Sequence, residues 1–182
     1  MISYSINIRL KDESKNYRPL RLGVGHSEIK NSHFLGYHNL EMTNGVIYDL
    51  KKVIQGKLSE YEWGYDSQLM IESNQKHSSM EDYMYEEDLG TIETSVLLDF
   101  MIHWRDFQKK FPSKESLKKN LIEAYSMIRS SPKDFRRWKN SDIDYIASIE
   151  NTNYSVMLDE SVGDFELSPE EFYNEIKKCP QW

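Results

Sequence analysis

The chain has almost no cysteine: Cys179 is the only one among 182 residues. A single cysteine excludes an internal disulfide framework and a metal site built from several thiolates. Long hydrophobic runs are also missing, since no stretch approaches the roughly 18 apolar residues that a membrane-spanning helix needs. The first residues lack the basic start, the apolar stretch and the cleavage site of a signal peptide. We therefore expect a cytoplasmic protein that has no membrane partner.

Recognisable catalytic motifs are lacking as well. The stretch "GHSEI" (residues 25–29) lacks the second glycine of a nucleophile elbow, and "LGVG" (residues 22–25) lacks the Gly and Lys positions of a phosphate-binding loop. His26, His33 and His38 lie within thirteen residues, but their spacings of seven and five match no compact metal-ligand set. We interpret the three histidines as loop residues, and the sequence predicts no enzyme, no metal and no other cofactor.

Basic residues are nearly absent from one segment of the chain. Residues 60–100 contain eleven acidic residues and one basic residue, Lys76, which gives a balance of −10 within a net charge of −7. The balance is +4 over residues 1–59, +7 over residues 101–139 and −8 over residues 140–182. Such blocks often form solvated faces that neutralise one another in the fold. The sequence pI of about 5.3 argues against a nucleic-acid partner for the basic block.

Period-two alternation of apolar residues predicts several strands. The first lies in "ISYSINIRL" (residues 2–10), and "RPLRLGVG" (residues 18–25) is predicted as a second, short strand. The stretches "SQLMIESN" (residues 67–74) and "MEDYMYEE" (residues 80–87) are predicted as two strands. Acids occur on both faces of the second one, which favours an exposed edge strand or ribbon. A late strand is predicted in "NYSVMLDE" (residues 153–160).

Apolar residues at steps of three and four predict the helices. One helix is expected in "GVIYDLKKVIQGK" (residues 45–57), and a stronger pattern follows in residues 93–112. There a single stripe contains Leu97, Phe100, Met101, Trp104, Phe107 and Phe111. Further helices are predicted after Ser113, after Ser131-Pro132, from Ser141 through Ile149, and from Ser168, where Glu171 would complete a capping box.

Strands in the early half and helices in the late half predict an α+β fold. We expect a mainly antiparallel sheet from the N-terminal half, with helices, mostly C-terminal, packed on one face. The chain shows no repeat and no flexible linker, so one domain over residues 1–182 is predicted.

The acidic segment between residues 60 and 88 is also rich in aromatic residues. Tyrosine and tryptophan are common anchors of protein interfaces, and acids steer a basic partner towards them. The sequence therefore predicts a partner-binding set made of Tyr61, Glu62, Trp63, Asp66, Asp82, Tyr83, Tyr85, Glu86, Glu87 and Asp88. Two alternatives remain open: a solvated hairpin whose aromatic residues cover the edge of the core, and an interface in the acidic block of residues 140–182.

Residues 46–111 combine an early helix, "EYEWGYDSQLMIESN", an acidic ribbon and "IETSVLLDFMIHWRDFQKKF". This arrangement, with Ile92 and Thr94 before a helix that contains Trp104 and Phe107, resembles immunity proteins of bacterial polymorphic-toxin and contact-dependent growth inhibition systems. The resemblance implies a non-catalytic protein that binds and neutralises the C-terminal domain of a cognate toxin. A basic nuclease domain would fit, because carboxylates can imitate phosphates. A stand-alone interaction or regulatory module and an unrecognised hydrolase remain alternatives, and the sequence does not specify an oligomeric state.

Overall fold

The computed structural model describes residues 1–8, 21–65, 68–110, 114–130, 145–149, 152–158 and 167–180. In chain order the elements are β1 (Ile2–Ile8), β2 (Arg21–His26), a 3-10 helix (Ser32–Tyr37), α1 (Leu40–Ile54), β3 (Glu60–Tyr65), β4 (Leu69–Asn74), β5 (His77–Asp82), β6 (Glu87–Glu93), α2 (Thr94–Lys110), α3 (Lys114–Ser130), β7 (Tyr145–Ile149), β8 (Thr152–Leu158) and α4 (Pro169–Lys178). Helices and antiparallel strands confirm the predicted α+β class. Within the described ranges, no helix is long and apolar enough to cross a membrane.

The chain divides into two compact units. Unit 1 comprises Met1–Ser3 and Val24–Lys110, and unit 2 comprises Tyr4–Gly23 and Phe111–Trp182. The boundaries fall inside β1 and β2, so each of these strands contributes residues to both units. The described residues form two four-stranded sheets, in the orders β2-β1-β8-β7 and β3-β4-β5-β6, where the sequence pattern indicated one.

The sheet of unit 1 is an antiparallel meander in which each strand pairs with the next one in the chain. Local side chains fix its turns: the Asn74 side-chain oxygen accepts hydrogen bonds from the backbone N–H groups of Lys76 and His77, which closes the β4–β5 connection. Helices α1 and α2 pack against each other and against these strands. The meander therefore has one face covered by helices and one face open.

The core of unit 1 confirms the strongest helix prediction. Five residues of the predicted stripe in α2, namely Leu97, Phe100, Met101, Trp104 and Phe107, are buried, whereas Phe111 lies outside the described residues. Helix α1 begins earlier than its apolar pattern indicated, because the Asn39 side chain caps it by accepting a hydrogen bond from the Met42 N–H. Gly56, with φ of 69°, follows its end.

In unit 2, strands from the early and the late part of the sequence pair in one sheet. Strand β8 pairs parallel to β1, with Ile6 opposite Val156, and antiparallel to β7. Helix α3 buries Leu117, Leu121, Tyr125 and Ile128, and helix α4 buries Phe172, Tyr173 and Ile176. The rings of Tyr125 and Phe172 are stacked at 4.1 Å. The predicted capping box of Ser168 and Glu171 is confirmed at the start of α4.

Two predicted elements are wrong. Tyr145–Ile149, assigned to a helix from Ser141, is strand β7, because pairing with β8 determines its conformation rather than the serine that resembled a helix cap. The predicted strand over residues 80–87 ends at Asp82, and residues 83–86 form a turn before β6. The predicted helix after Ser131-Pro132 lies outside the described residues.

Candidate protein-binding surface

The two faces of the unit 1 sheet have opposite chemistry, because successive side chains of a strand point to opposite sides. Trp63, Ile71 and Met80 stand side by side on three neighbouring strands and are all buried. Their neighbours along each strand face the other way. Glu62 stands opposite Glu72, and Glu72 stands opposite Ser79. This second face is the open one.

The open face of this sheet is acidic. Six exposed carboxylates stand on it, and we call them the acidic face: Glu60, Glu62, Glu72, Glu81, Asp88 and Glu93. The four strands contain no lysine or arginine. Within the described part of the chain, none of the six carboxylates forms an ion pair with a basic side chain. Among the residues that the structure describes, the acidic face therefore concentrates negative charge without a basic partner side chain.

The β5–β6 turn presents three large side chains to solvent at one end of this sheet. Residues 83–86 form the turn, which we call the hairpin tip, and the exposed fractions of Tyr83, Met84 and Tyr85 are 52%, 56% and 73%. Glu86 completes the tip in a left-handed conformation with φ of 51°. The tip adjoins the acidic face, because Glu81 and Asp88 are a cross-strand pair close to it.

Asp82 is a correction to the predicted set, since it is buried and not exposed. Its Oδ1 accepts hydrogen bonds from the backbone N–H groups of Met84 at 3.0 Å and Tyr85 at 3.3 Å. Its Oδ2 accepts one from the Asn31 side-chain amide at 3.3 Å. A short polar side chain that binds the backbone two and three residues ahead is a turn former. Asp82 therefore ends β5 and shapes the tip.

Trp63 is a second correction, because its side chain is buried on the helix-covered face of the sheet. Its ring lies 5.7 Å from that of His38 and 6.3 Å from that of Tyr61. Tyr61 is half-buried on the same face, and burial raises the pKa of its phenol. Trp63 and Tyr61 of β3 thus pack on the core side of the sheet.

The remaining predicted residues fall into two places. Tyr83, Tyr85, Glu86, Glu87 and Asp88 are exposed at or beside the tip, whereas Glu62 is exposed in the middle of β3 on the open face. Asp66 lies outside the described residues. The role of these residues in binding stays a prediction.

Four carboxylates of the acidic face are outside the predicted set: Glu60, Glu72, Glu81 and Glu93. The residues themselves were visible as part of an acidic segment. Only the pairing register of the strands places them on one face. Met84 at the tip is also outside the predicted set, because that set is based on acidic residues, tyrosine and tryptophan.

No group of three His, Cys, Asp or Glu side chains that could hold a metal ion occurs among the described residues. The interpretation of the three histidines as loop residues is confirmed for His38, which lies between the 3-10 helix and α1. It is wrong for His26, which ends β2, and for His33, which belongs to the 3-10 helix. The absence of a cofactor stays a prediction.

The chain matches no protein-family model, no curated protein and no solved structure. The resemblance to immunity proteins stays a prediction.

Proposed function

We propose that this chain is a non-catalytic, cytoplasmic binding protein that captures a basic domain of a cognate toxin and thereby neutralises it. The acidic face is the observation that carries the proposal. Six exposed carboxylates on four strands without a lysine or arginine attract a cationic protein surface, accelerate its association and reject acidic proteins.

The arrangement of the acids supports a binding role because it opposes folding. Glu62 and Glu72 are direct cross-strand neighbours on the open face, and like charges at such positions destabilise a sheet. Basic residues at alternate positions would relieve this repulsion if the face served only to keep the sheet soluble. A cationic partner offsets the same repulsion when it binds.

The close approach of several carboxylates on the acidic face favours a nuclease as the partner. Directly opposed residues of an antiparallel sheet have Cβ atoms about 5 Å apart, and alternate residues along a strand are about 6.7 Å apart. Glu62 and Glu72 are one opposed pair of acids, and Glu81 and Asp88 are another. The acidic face thus brings anions close together, as the phosphate backbone of a nucleic acid does. A cleft that grips phosphates presents the lysine and arginine side chains that such anions would occupy.

Association kinetics test the proposal. The partner to measure is the purified product of the gene next to the one that encodes this chain. A face variant (Glu62→Gln, Glu72→Gln and Glu81→Gln) is compared with a control variant (Glu28→Gln, Glu41→Gln and Asp99→Asn) that loses the same charge from exposed positions of unit 1 outside the acidic face.

We expect the face variant to associate at least about tenfold more slowly than wild type at low salt. The difference should shrink near 1 M salt, where the screening length is about 3 Å. The control variant should stay within about twofold of wild type. If the partner cleaves nucleic acid, the face variant should also inhibit that activity less. Equal kinetics for both variants, or no binding by wild type, would contradict the proposal.

A further inference from the structure

We infer that the hairpin tip is a preformed anchor, and that the partner receives it in a concave, apolar pocket with a basic rim. The inference rests on the proposed function, because it specifies the partner surface that the same binding site would meet. It separates two tasks: the acidic face attracts the partner, and the tip holds it.

The chemistry of the tip is that of an interface anchor. Tyr83, Met84 and Tyr85 are consecutive, and each is more than half exposed. Among the described residues, no other run of three consecutive residues consists of large exposed hydrophobic side chains. Tyrosine buries a large area while few bonds lose rotation, and methionine adapts its shape to irregular surfaces. Because all three protrude from one turn, a flat surface would cover only part of them, whereas a pocket would enclose them.

The backbone of the tip is held in place before any partner arrives. The Asp82 carboxylate binds the N–H groups of Met84 and Tyr85, and the Asn31 side chain holds the same carboxylate from another loop. In addition, the Tyr83 N–H donates to the Gln68 carbonyl at 3.2 Å. A binding loop that is already ordered loses little conformational entropy on binding. The tip is therefore rigid at the residues whose side chains are most exposed.

The acids beside the tip determine which charges the partner can carry around its pocket. Glu81 lies on one side of it, Glu86 belongs to it, and Glu87 and Asp88 follow; all four are exposed. These carboxylates would repel a second copy of the same tip and the anionic surface of a cytoplasmic membrane leaflet. An apolar pocket with lysine or arginine at its rim matches both parts of this surface: the pocket encloses the apolar side chains of the tip, and the basic rim pairs with the acids beside it.

Asp82 and Asn31 are positioning residues in this scheme. Asp82 is buried, so it contacts the partner only through the backbone that it shapes. Its substitution should change binding because the tip loses its fixed conformation. An aspartate that merely stabilised the fold would affect the unfolding temperature without a specific effect on the tip.

Dissociation kinetics test the anchor. The tip variant Met84→Ser/Tyr85→Ser keeps every carboxylate and every backbone hydrogen bond of the tip. Its control is Tyr48→Ser, which removes a side chain that is 62% exposed on α1. Two probes are used: the purified product of the neighbouring gene, and poly-L-lysine, a cation without a pocket. We expect the tip variant to leave the protein partner at least about tenfold faster, with poly-L-lysine affinity within about twofold of wild type.

Amide hydrogen exchange tests the positioning residues without a partner. Asp82→Ala should accelerate exchange at Met84 and Tyr85 and also accelerate dissociation from the partner. Asp82→Asn keeps an acceptor oxygen for both N–H groups and should recover much of both effects. If Asp82→Ala does not fold, Asn31→Ala replaces it, because it removes only the bond to Oδ2 and should give a smaller change in the same direction.

The outcomes distinguish this inference from the proposed function. Wild-type dissociation by the tip variant, together with slow association by the face variant, would overturn the anchor and leave the proposed function in place. Equal losses for the tip variant on poly-L-lysine and on the protein partner would also overturn it, because poly-L-lysine has no pocket. If wild type does not bind the neighbouring gene product at all, the proposed function fails and the anchor fails with it.

Discussion

Among the five histidines, His38 is the buried one. Its Nε2 donates to the Gly64 carbonyl at 3.0 Å, so that nitrogen carries the proton of the neutral ring. Its Nδ1 is a buried acceptor without a hydrogen-bond partner among the described residues. Trp63 and Tyr65 lie beside the ring. Burial lowers the pKa of His38, and the bond to Gly64 opposes this effect only in part.

The lowered pKa predicts that acid destabilises unit 1. The pKa of a histidine in an unfolded chain is about 6.5. Below that pH the unfolded chain binds a proton at His38, whereas the folded chain does not until a lower pH. The contribution of His38 is therefore complete above about pH 6.5 and is lost as the pH falls towards the folded pKa. We expect the free energy of unfolding to fall less steeply between pH 7 and pH 5 in His38→Gln than in wild type, as measured by urea unfolding at several pH values. Parallel pH curves for the two proteins would refute this expectation.

At the scale of elements, two glycines have opposite effects on stability. Gly64 lies in β3, where an added Cβ atom would stand 1.8 Å from the Leu69 carbonyl oxygen. Gly45 lies inside α1, and an added Cβ atom there would meet nothing within 4 Å. The first glycine is required by the close approach of β3 and β4. The second only weakens a helix.

The pair gives a prediction of opposite signs. Gly64→Ala should destabilise unit 1 by about 2 kcal/mol or more, because the backbone of β4 has to move. Gly45→Ala should stabilise the protein by roughly 0.5–1 kcal/mol, because alanine is the better helix former. Chemical denaturation of both variants beside wild type measures the two changes. A destabilised Gly45→Ala, or a Gly64→Ala equal to wild type, would contradict the strand and helix environments described above.

Long elements with a regular repeat of apolar residues were predictable from the sequence. Short segments whose conformation depends on a neighbouring strand or on a local hydrogen bond were not. The stripe of α2 specifies a helix by itself, as the burial of Trp104 and Phe107 confirms. The five residues of β7 are a strand because β8 lies beside them. Alternation ran through residues 80–87 in the sequence, but the hydrogen bonds of Asp82 interrupt it.

The candidate surface was only partly predictable for the same reason. Acidic composition identified the segment, and the exposed tyrosines of the tip were among the predicted residues. The acidic face depends on pairings between strands, such as that of Glu62 with Glu72, which the period of a single strand does not contain. The sequence did not reveal the position of Trp63. An aromatic residue with acidic neighbours gives the same local sequence whether it binds a partner or packs on a core.

At the scale of the whole molecule, the question is whether the two units unfold together. Each of the strands β1 and β2 belongs partly to unit 1 and partly to unit 2. Loss of either unit would therefore remove residues from a strand of the other. The single domain that the sequence predicted is thus expected to behave as one cooperative system.

Two core truncations test this cooperativity. Trp104→Ala in unit 1 and Phe172→Ala in unit 2 each remove a fully buried aromatic side chain, and each should cost about 3–5 kcal/mol. Amide exchange through global unfolding should then accelerate equally in β4 and in α3 for either variant. Acceleration confined to the unit that carries the substitution would show two independent domains. Unchanged stability in Trp104→Ala would show that the α2 stripe is not core.

The two-faced sheet of unit 1 also has a consequence for how such a protein can diverge. Trp63, Ile71 and Met80 stabilise the fold from one side of the strands, while Glu62, Glu72 and Glu81 project from the other. Exposed substitutions away from caps and turns usually change stability by less than about 0.5 kcal/mol. Descendants of this sequence can therefore exchange the open-face side chains one at a time, acquiring new partners while they inherit an unchanged interior.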